Sequence, residues 1–358
     1  MPLDYFAGNR PRGGGRGYPH TRATTEPLLQ GSSAKCENEL RVSFRRGPIL
    51  LRSFFIGLST NKAFRSFSEQ SSIGRRVSRR FVAGMSIDEA IAAAAQLNAE
   101  GIDVTLDSLG ESVLDVAHAE AGAAIYHQLL DAIQARNLRA NVSVKLTQVG
   151  MDIGGPSQGP ALAERIVGEM VAHAAHTGSF VRIDMEGSEY TEPTLLLTER
   201  LHQQYPGAVG TVLQAYLFRT ENDAERLLSQ GIRIRLCKGA YKEPPEIAFP
   251  AKTDVDANYI KLMKRVVSSP VFCGIATHDE AIVNQLRDFV AQHGIDKRAF
   301  EFQMLYGIRR DLQRKLVAEG FGVRVYVPFG AEWYPYFMRR LAERPANVLF
   351  LAKNFFKS

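Results

Sequence analysis

Three cysteines in 358 residues, Cys36, Cys237 and Cys273, make no disulfide framework and stand at no metal-ligand spacing. A reducing compartment is the simpler setting. No apolar run is long enough to span a bilayer; the best candidate, residues 49–58, is short and carries Arg52. The N-terminus lacks the charge-then-apolar order of a secretory signal. A cytoplasmic protein is expected, with peripheral contact at the inner face of a membrane left open by a basic segment over residues 49–82. No Gly-x-Gly-x-x-Gly follows the first strand-like run, which argues against a Rossmann nucleotide site. No nucleophile elbow is read in the chain.

What is present suits an enzyme with a large core: 45% hydrophobic and 23% charged residues. The net charge of +6 is unevenly placed. Residues 1–48 hold eight Lys/Arg against four Asp/Glu, so most of the excess lies there. The near-balanced remainder argues against nucleic acid as the main partner. Residues 1–48 include Arg10-Pro-Arg-Gly-Gly-Gly-Arg-Gly17 with almost no periodicity, and read as a disordered extension. An RNA-binding tail, a transit peptide and a misplaced start codon are the other readings. Residues 49–82 read as basic helix around an apolar stripe, packed on the domain or laid on an anionic membrane surface.

From Ser86 the pattern is regular. Ser86-Ile-Asp-Glu89 is a capping box ahead of a helix over Glu89–Leu97. Strands are expected at Ile102–Leu106, Asn141–Leu146, Phe180–Met185, Thr211–Tyr216, Ile232–Cys237, Val271–Ala276, Phe300–Met304 and Val323–Val327. Amphipathic helical stretches separate them. Eight strand–helix units closing on themselves form a (βα)8 TIM-type barrel, an α/β fold; an open doubly wound sheet is the alternative.

Strand parity carries the strongest signal. Ser143 and Lys145 oppose Val142 and Val144; Arg182, Asp184 and Glu186 oppose Val181, Ile183 and Met185; Arg233, Arg235 and Cys237 oppose Ile232, Ile234 and Leu236. The apolar parity suits the surrounding helices, which sends the charges inside, where they must be paired. Lys145, Asp184, Glu186 and Arg235 are expected to converge at the C-terminal strand ends, where barrel active sites are built. A structural ion-pair network is the competing reading. Lys238-Gly-Ala-Tyr241 and Thr277-His-Asp279 follow the fifth and sixth strands. Gly239 permits close backbone approach to a ligand. His278 has no second His or Cys at ligand spacing, so no metal is expected.

After the last strand, Trp333, Phe337 and Leu341 recur at helical spacing up to Pro345. Adjacent Arg339 and Arg340 point about 100° apart. A helix across a cavity would aim both at an anion, and their forks match a carboxylate. Solvated arginines are the alternative.

In order, Val144-Lys-Leu146, Ile183-Asp-Met-Glu186, Gln214-Ala-Tyr216, Arg235-Leu-Cys-Lys-Gly-Ala-Tyr241, Ala276-Thr-His-Asp279, Phe300-Glu-Phe-Gln303 and Tyr326-Val-Pro-Phe-Gly330 leading into Trp333–Asn347 resemble the proline dehydrogenase family, in its monofunctional bacterial form. The resemblance covers about residues 50–357. It implies a distorted (βα)8 barrel with its last helix over the mouth, non-covalent FAD, and oxidation of L-proline to Δ1-pyrroline-5-carboxylate with electrons passed to a membrane quinone. By that resemblance Asp184 and Arg235 are catalytic, and Lys145, Arg339 and Arg340 bind the substrate carboxylate. Met185, Gln214, Arg235, Lys238, Gly239, Ala240, Thr277 and His278 hold FAD, and Tyr241 and Tyr326 wall the proline pocket. The alternatives are a phosphate-binding aldolase or isomerase with Lys145 as Schiff-base amine, and, remotely, a nucleic-acid binder acting through the basic N-terminus.

Overall fold

The structure, a computed structural model, describes residues 79–338 apart from 111, 112 and 335. The expected domain boundary at residue 48, the segment 49–78, and Arg339 and Arg340 lie outside the described residues. Eight parallel strands form a closed barrel in sequence order, β1 pairing with both β2 and β8. They are β1 Asp103–Ser108, β2 Ala140–Val144, β3 Val181–Ile183, β4 Val209–Gln214, β5 Arg233–Cys237, β6 Cys273–Ala276, β7 Phe300–Leu305 and β8 Gly322–Phe329. Among the described residues eight helices precede or link them: α1 Ile87–Ala99, α2 Val116–Ala135, α3 Gly155–His176, α4 Thr191–Gln204, α5 Thr220–Ser229, α6 Lys252–Val267, α7 Glu280–His293 and α8 Arg310–Ala318.

Local chemistry sets the helix starts. The Ser86 hydroxyl accepts the Glu89 N–H and the Glu89 carboxylate accepts the Ser86 N–H, so the expected capping box forms at α1. Asp115 and Asp279 cap α2 and α7 in the same way, each accepting a backbone N–H of the first turn. Residues 79–82, by contrast, are turn and bend where helix was expected to run to 82. Gly84 and Ala83 pair with the end of β8 instead, which draws the chain away from helical geometry.

The apolar parity faces outward, as expected. Val104, Leu106, Val142, Val144, Val181, Ile183, Ile234 and Leu236 are fully buried in one core shared with the helices. The polar parity fills the barrel. At the base, Arg324 pairs with Glu301 (2.7 Å) and Asp103 (3.3 Å), and Arg182 donates to the carbonyls of Thr211 and Arg233. Burial, with Arg235 next, holds the Arg182 guanidinium down to about 9. Arg182 and Arg233 also stack on the Phe180 ring.

Beyond β8 the chain turns helical again at residues 333, 334 and 336–338. Trp333, Phe337 and Met338 are buried with Phe81, Val82, Leu109 and Ile308. Leu109 follows β1 and Ile308 lies past β7, so this helical turn sits at the C-terminal mouth and not on the outer wall.

Candidate active site

Several strand ends differ from expectation, and those of β2 and β1 shape the site. β2 stops at Val144, and a 3₁₀ turn over Leu146–Val149 replaces its predicted end, leaving Lys145 at the rim. β1 runs on to Ser108, two residues past its predicted end, which brings Asp107 inside.

A layer of side chains from separate strands meets below the mouth. Asp184 Oδ1 accepts the Ser143 hydroxyl at 2.6 Å and Arg235 Nη1 at 2.8 Å; its Oδ2 accepts the Tyr326 hydroxyl at 2.8 Å. Arg235 Nε donates to Gln303 Oε1, whose amide donates to Glu301. Arg235 also lies 5.3 Å from the centre of the Tyr326 ring. Burial raises the Tyr326 phenol well above its usual range, so it is a protonated donor. Asp184 is thus satisfied on both oxygens by three donors, and Arg235 is held at a fixed angle.

Lys145 is turned to Asp107, with Nζ 3.4 Å from Oδ2. Asp107 is fully buried, and burial raises its carboxyl above the ordinary carboxylate value while Lys145 opposes that shift. Asp107 was not singled out by the sequence reading. Its parity with Thr105 was the available signal, lost because the strand was ended two residues early. Glu186 is a correction of a different kind. Among the described residues it does not border the cavity; its carboxylate takes the N–H and hydroxyl of Thr147 (3.1 and 2.6 Å) and ties down the turn after β2. Met185, beside it, lines the cavity although its parity was assigned outward. β3 ends at Ile183, so strand alternation no longer governs residue 185.

These groups border a cavity of ≈ 570 Å³ at the C-terminal mouth. Lys145, Asp184, Arg235, Gln303 and Tyr326 line it, and so do Lys238, Gly239, Ala240, Thr277 and His278. Lys238 is anchored by Asp256 (2.5 Å) and Asp279 (3.5 Å). His278 Nε2 accepts the Leu305 N–H at 2.9 Å, so the neutral ring carries its proton on Nδ1. Cys237, also on the cavity, has its thiol pushed up to about 11 by burial and is no nucleophile at neutral pH. Gln214 does not line the cavity directly. It is buried at the end of β4, level with Cys237, and its Oε1 has no hydrogen-bond partner. Tyr241 is 45% exposed and absent from the lining, against its implied place in a pocket wall. Gly155-Pro-Ser-Gln-Gly159 has the letters of a nucleophile elbow. It opens α3, Ser157 is exposed and no strand runs directly into it, so the chemistry of that motif does not follow.

Residues 90–353 match the family model for proline dehydrogenase. The chain belongs to the proline dehydrogenase family. It is 43% identical over 284 residues to the proline dehydrogenase of Deinococcus radiodurans, covering 78% of this chain and 90% of that one. It is 38% identical over 309 residues to proline dehydrogenase 1 of Bacillus subtilis strain 168, covering 86% and 100% respectively. The bifunctional protein PutA of Escherichia coli K12 is 28% identical over 322 residues, which span only 24% of its length. Among solved structures, proline utilization A from Bdellovibrio bacteriovorus shares the barrel, with a TM-score of 0.70 at 24% identity, over 75% of this chain and 32% of that one.

Proposed function

We propose that this proline dehydrogenase family member oxidises L-proline to Δ1-pyrroline-5-carboxylate with one non-covalent FAD, and passes the electrons to a membrane quinone. The observation that carries the reading is the pairing of two fixed cations, Lys145 and Arg235, on one cavity at the barrel mouth. The residues present fit a flavin dinucleotide. Gln214 Oε1 is a buried acceptor awaiting a donor. Gly239, at φ +116, brings bare backbone to the cavity where no Cβ would fit. Lys145, Arg235, Lys238 and Lys252 bias the lining toward anionic groups.

In the reaction, a ring carbon next to nitrogen loses a hydride, the nitrogen loses a proton, and a C=N bond forms. Bound FAD supplies the two-electron acceptor for that hydride. Lys145, fixed by Asp107, takes the substrate carboxylate, and we place Arg339 and Arg340 as its further partners. That grip holds the ring in one orientation, a contribution that reaches about 7–11 kcal/mol for well-aligned reactants. Cations near the amine favour its neutral form, which hydride loss requires. Arg235, held by Asp184 and Gln303, offers a guanidinium to developing negative charge without reorganising. The aldolase reading fits less well, since a Schiff-base lysine reacts as the free amine and a buried carboxylate beside Lys145 is the wrong neighbour for one.

Among the described residues no helix is long and apolar enough to cross a membrane. We propose peripheral contact as the way to the quinone. The deciding experiment is anaerobic addition of L-proline, with hydroxyproline alongside, to the purified protein. Bleaching of bound flavin by proline is expected; a colourless protein, or flavin that proline leaves oxidised, would sink the reading.

A further inference from the structure

Glu243 stands outside the cavity, in the loop between β5 and α6, yet it joins the loops of three successive strands. Its Oε1 accepts the Ser188 backbone N–H at 2.9 Å and its Oε2 accepts the Ser188 hydroxyl at 2.6 Å. Ser188 opens the short 3₁₀ turn after β3. Oε1 also accepts the Tyr216 hydroxyl, at 3.3 Å, from the loop after β4. Tyr216 is held by its backbone as well: its N–H donates to Lys238 O at 2.9 Å and its carbonyl accepts the Phe249 N–H at 2.8 Å. Its ring lies so close to Gly239 that a Cβ there would stand 2.3 Å from a ring carbon. Gly239 and Ala240, in turn, are cavity wall.

The chain of contact therefore runs from one carboxylate, through a phenol ring, to the backbone that faces the occupant. An ionised acceptor of three hydrogen bonds is stronger than a neutral one, and its removal strands a backbone N–H and two hydroxyls. We propose that Glu243 is a positioning residue, a clasp that keeps the Lys238–Ala240 wall closed over the cavity's occupant and sets how fast that occupant leaves. The proposal rests on the reading of the occupant as FAD.

Two variants and two measurements test it. Glu243→Gln keeps an oxygen for the donors and adds an amide that can donate to the Ser188 hydroxyl, so it should release FAD within about twofold of the parent rate. Glu243→Ala should release FAD about tenfold faster, followed by the recovery of flavin fluorescence. In the same alanine variant, hydrogen exchange at Ser188, Tyr216 and Phe249 should accelerate together. The Val104 amide, across the barrel, should keep its protection. Parental FAD release from Glu243→Ala, or faster exchange confined to Ser188, overturns the clasp. General loss of protection that includes Val104 also overturns it, because that marks global destabilisation. If the purified parent carries no flavin, the functional reading fails by itself. Joint loss of protection at the three amides then still supports the clasp, and its absence refutes it.

Discussion

The base and the mouth of this barrel are built from the same polar parity and end in opposite states. At the base, Arg324, Glu301 and Asp103 close on one another, and Arg182 gives Nη1 to two backbone carbonyls. At the mouth, the Asp184–Arg235 and Asp107–Lys145 pairs are equally intimate, but Lys145 and Arg235 keep an edge on a cavity. The difference lies in what stands above each layer. The base network is joined to the mouth layer through Glu301, Gln303 and Arg235, whereas the mouth layer also borders a cavity. Buried charge is thus enclosed by its partners at the base and left with one side toward a cavity at the mouth.

The largest effect should come from breaking the base. Arg324→Met leaves Glu301 and Asp103 without their shared cation, and a broken buried pair costs about 3–5 kcal/mol. Denaturant unfolding should show that loss. A variant as stable as the parent would remove the claim that the base is structural. Next is the mouth. Arg235→Met frees Asp184 and Gln303 and removes a preorganised donor, for which kcat/KM should fall about 10²–10³-fold. A drop in stability without a drop in turnover per folded molecule would make the mouth a second packing layer, and the contrast would be lost. The smallest effect is expected at the rim. Asp107→Asn loosens Lys145, and KM for proline should rise about tenfold with kcat less affected.

The same variant carries a pH signature. Burial raises the Asp107 carboxyl, so the folded chain holds that proton more tightly than the unfolded chain does. The resulting stabilisation is full below the unfolded carboxylate pKa and is lost as pH rises through the folded value. Asp107→Asn should therefore gain stability relative to the parent as pH climbs from about 4 toward neutrality. A constant difference across that window would mean that Asp107 titrates normally.

Much of this was legible in the chain. Alternation of β-branched residues with charges at Val142–Lys145, Val181–Asp184 and Ile232–Cys237 foretold both the barrel and the inward charges, because a strand buried on two faces must place its polar side chains in the lumen. Arg235, Lys145 and Asp184 were named in advance for that reason. Glu186 was misplaced because parity holds only while a strand lasts, and β3 is three residues long. Asp107 was missed because its strand outlasts the apolar run that marks it, held by pairing with Pro328 of β8. Glu243 left no local trace, since its partners, Ser188 and Tyr216, lie 55 and 27 residues away.

Periodicity and caps alone determined the order of elements and the side of each strand that would carry charge; closure into a cylinder and not an open sheet was decided by the pairing of β1 with β8. Local sterics and burial decide those, and both are written in neighbouring residues. Which charges pair, which keep an edge on the cavity, and which loop carboxylate braces its wall were decided only by tertiary structure. Those outcomes depend on where a parallel strand pair ends and what its distant neighbour offers there, and no stretch of chain contains that information about itself.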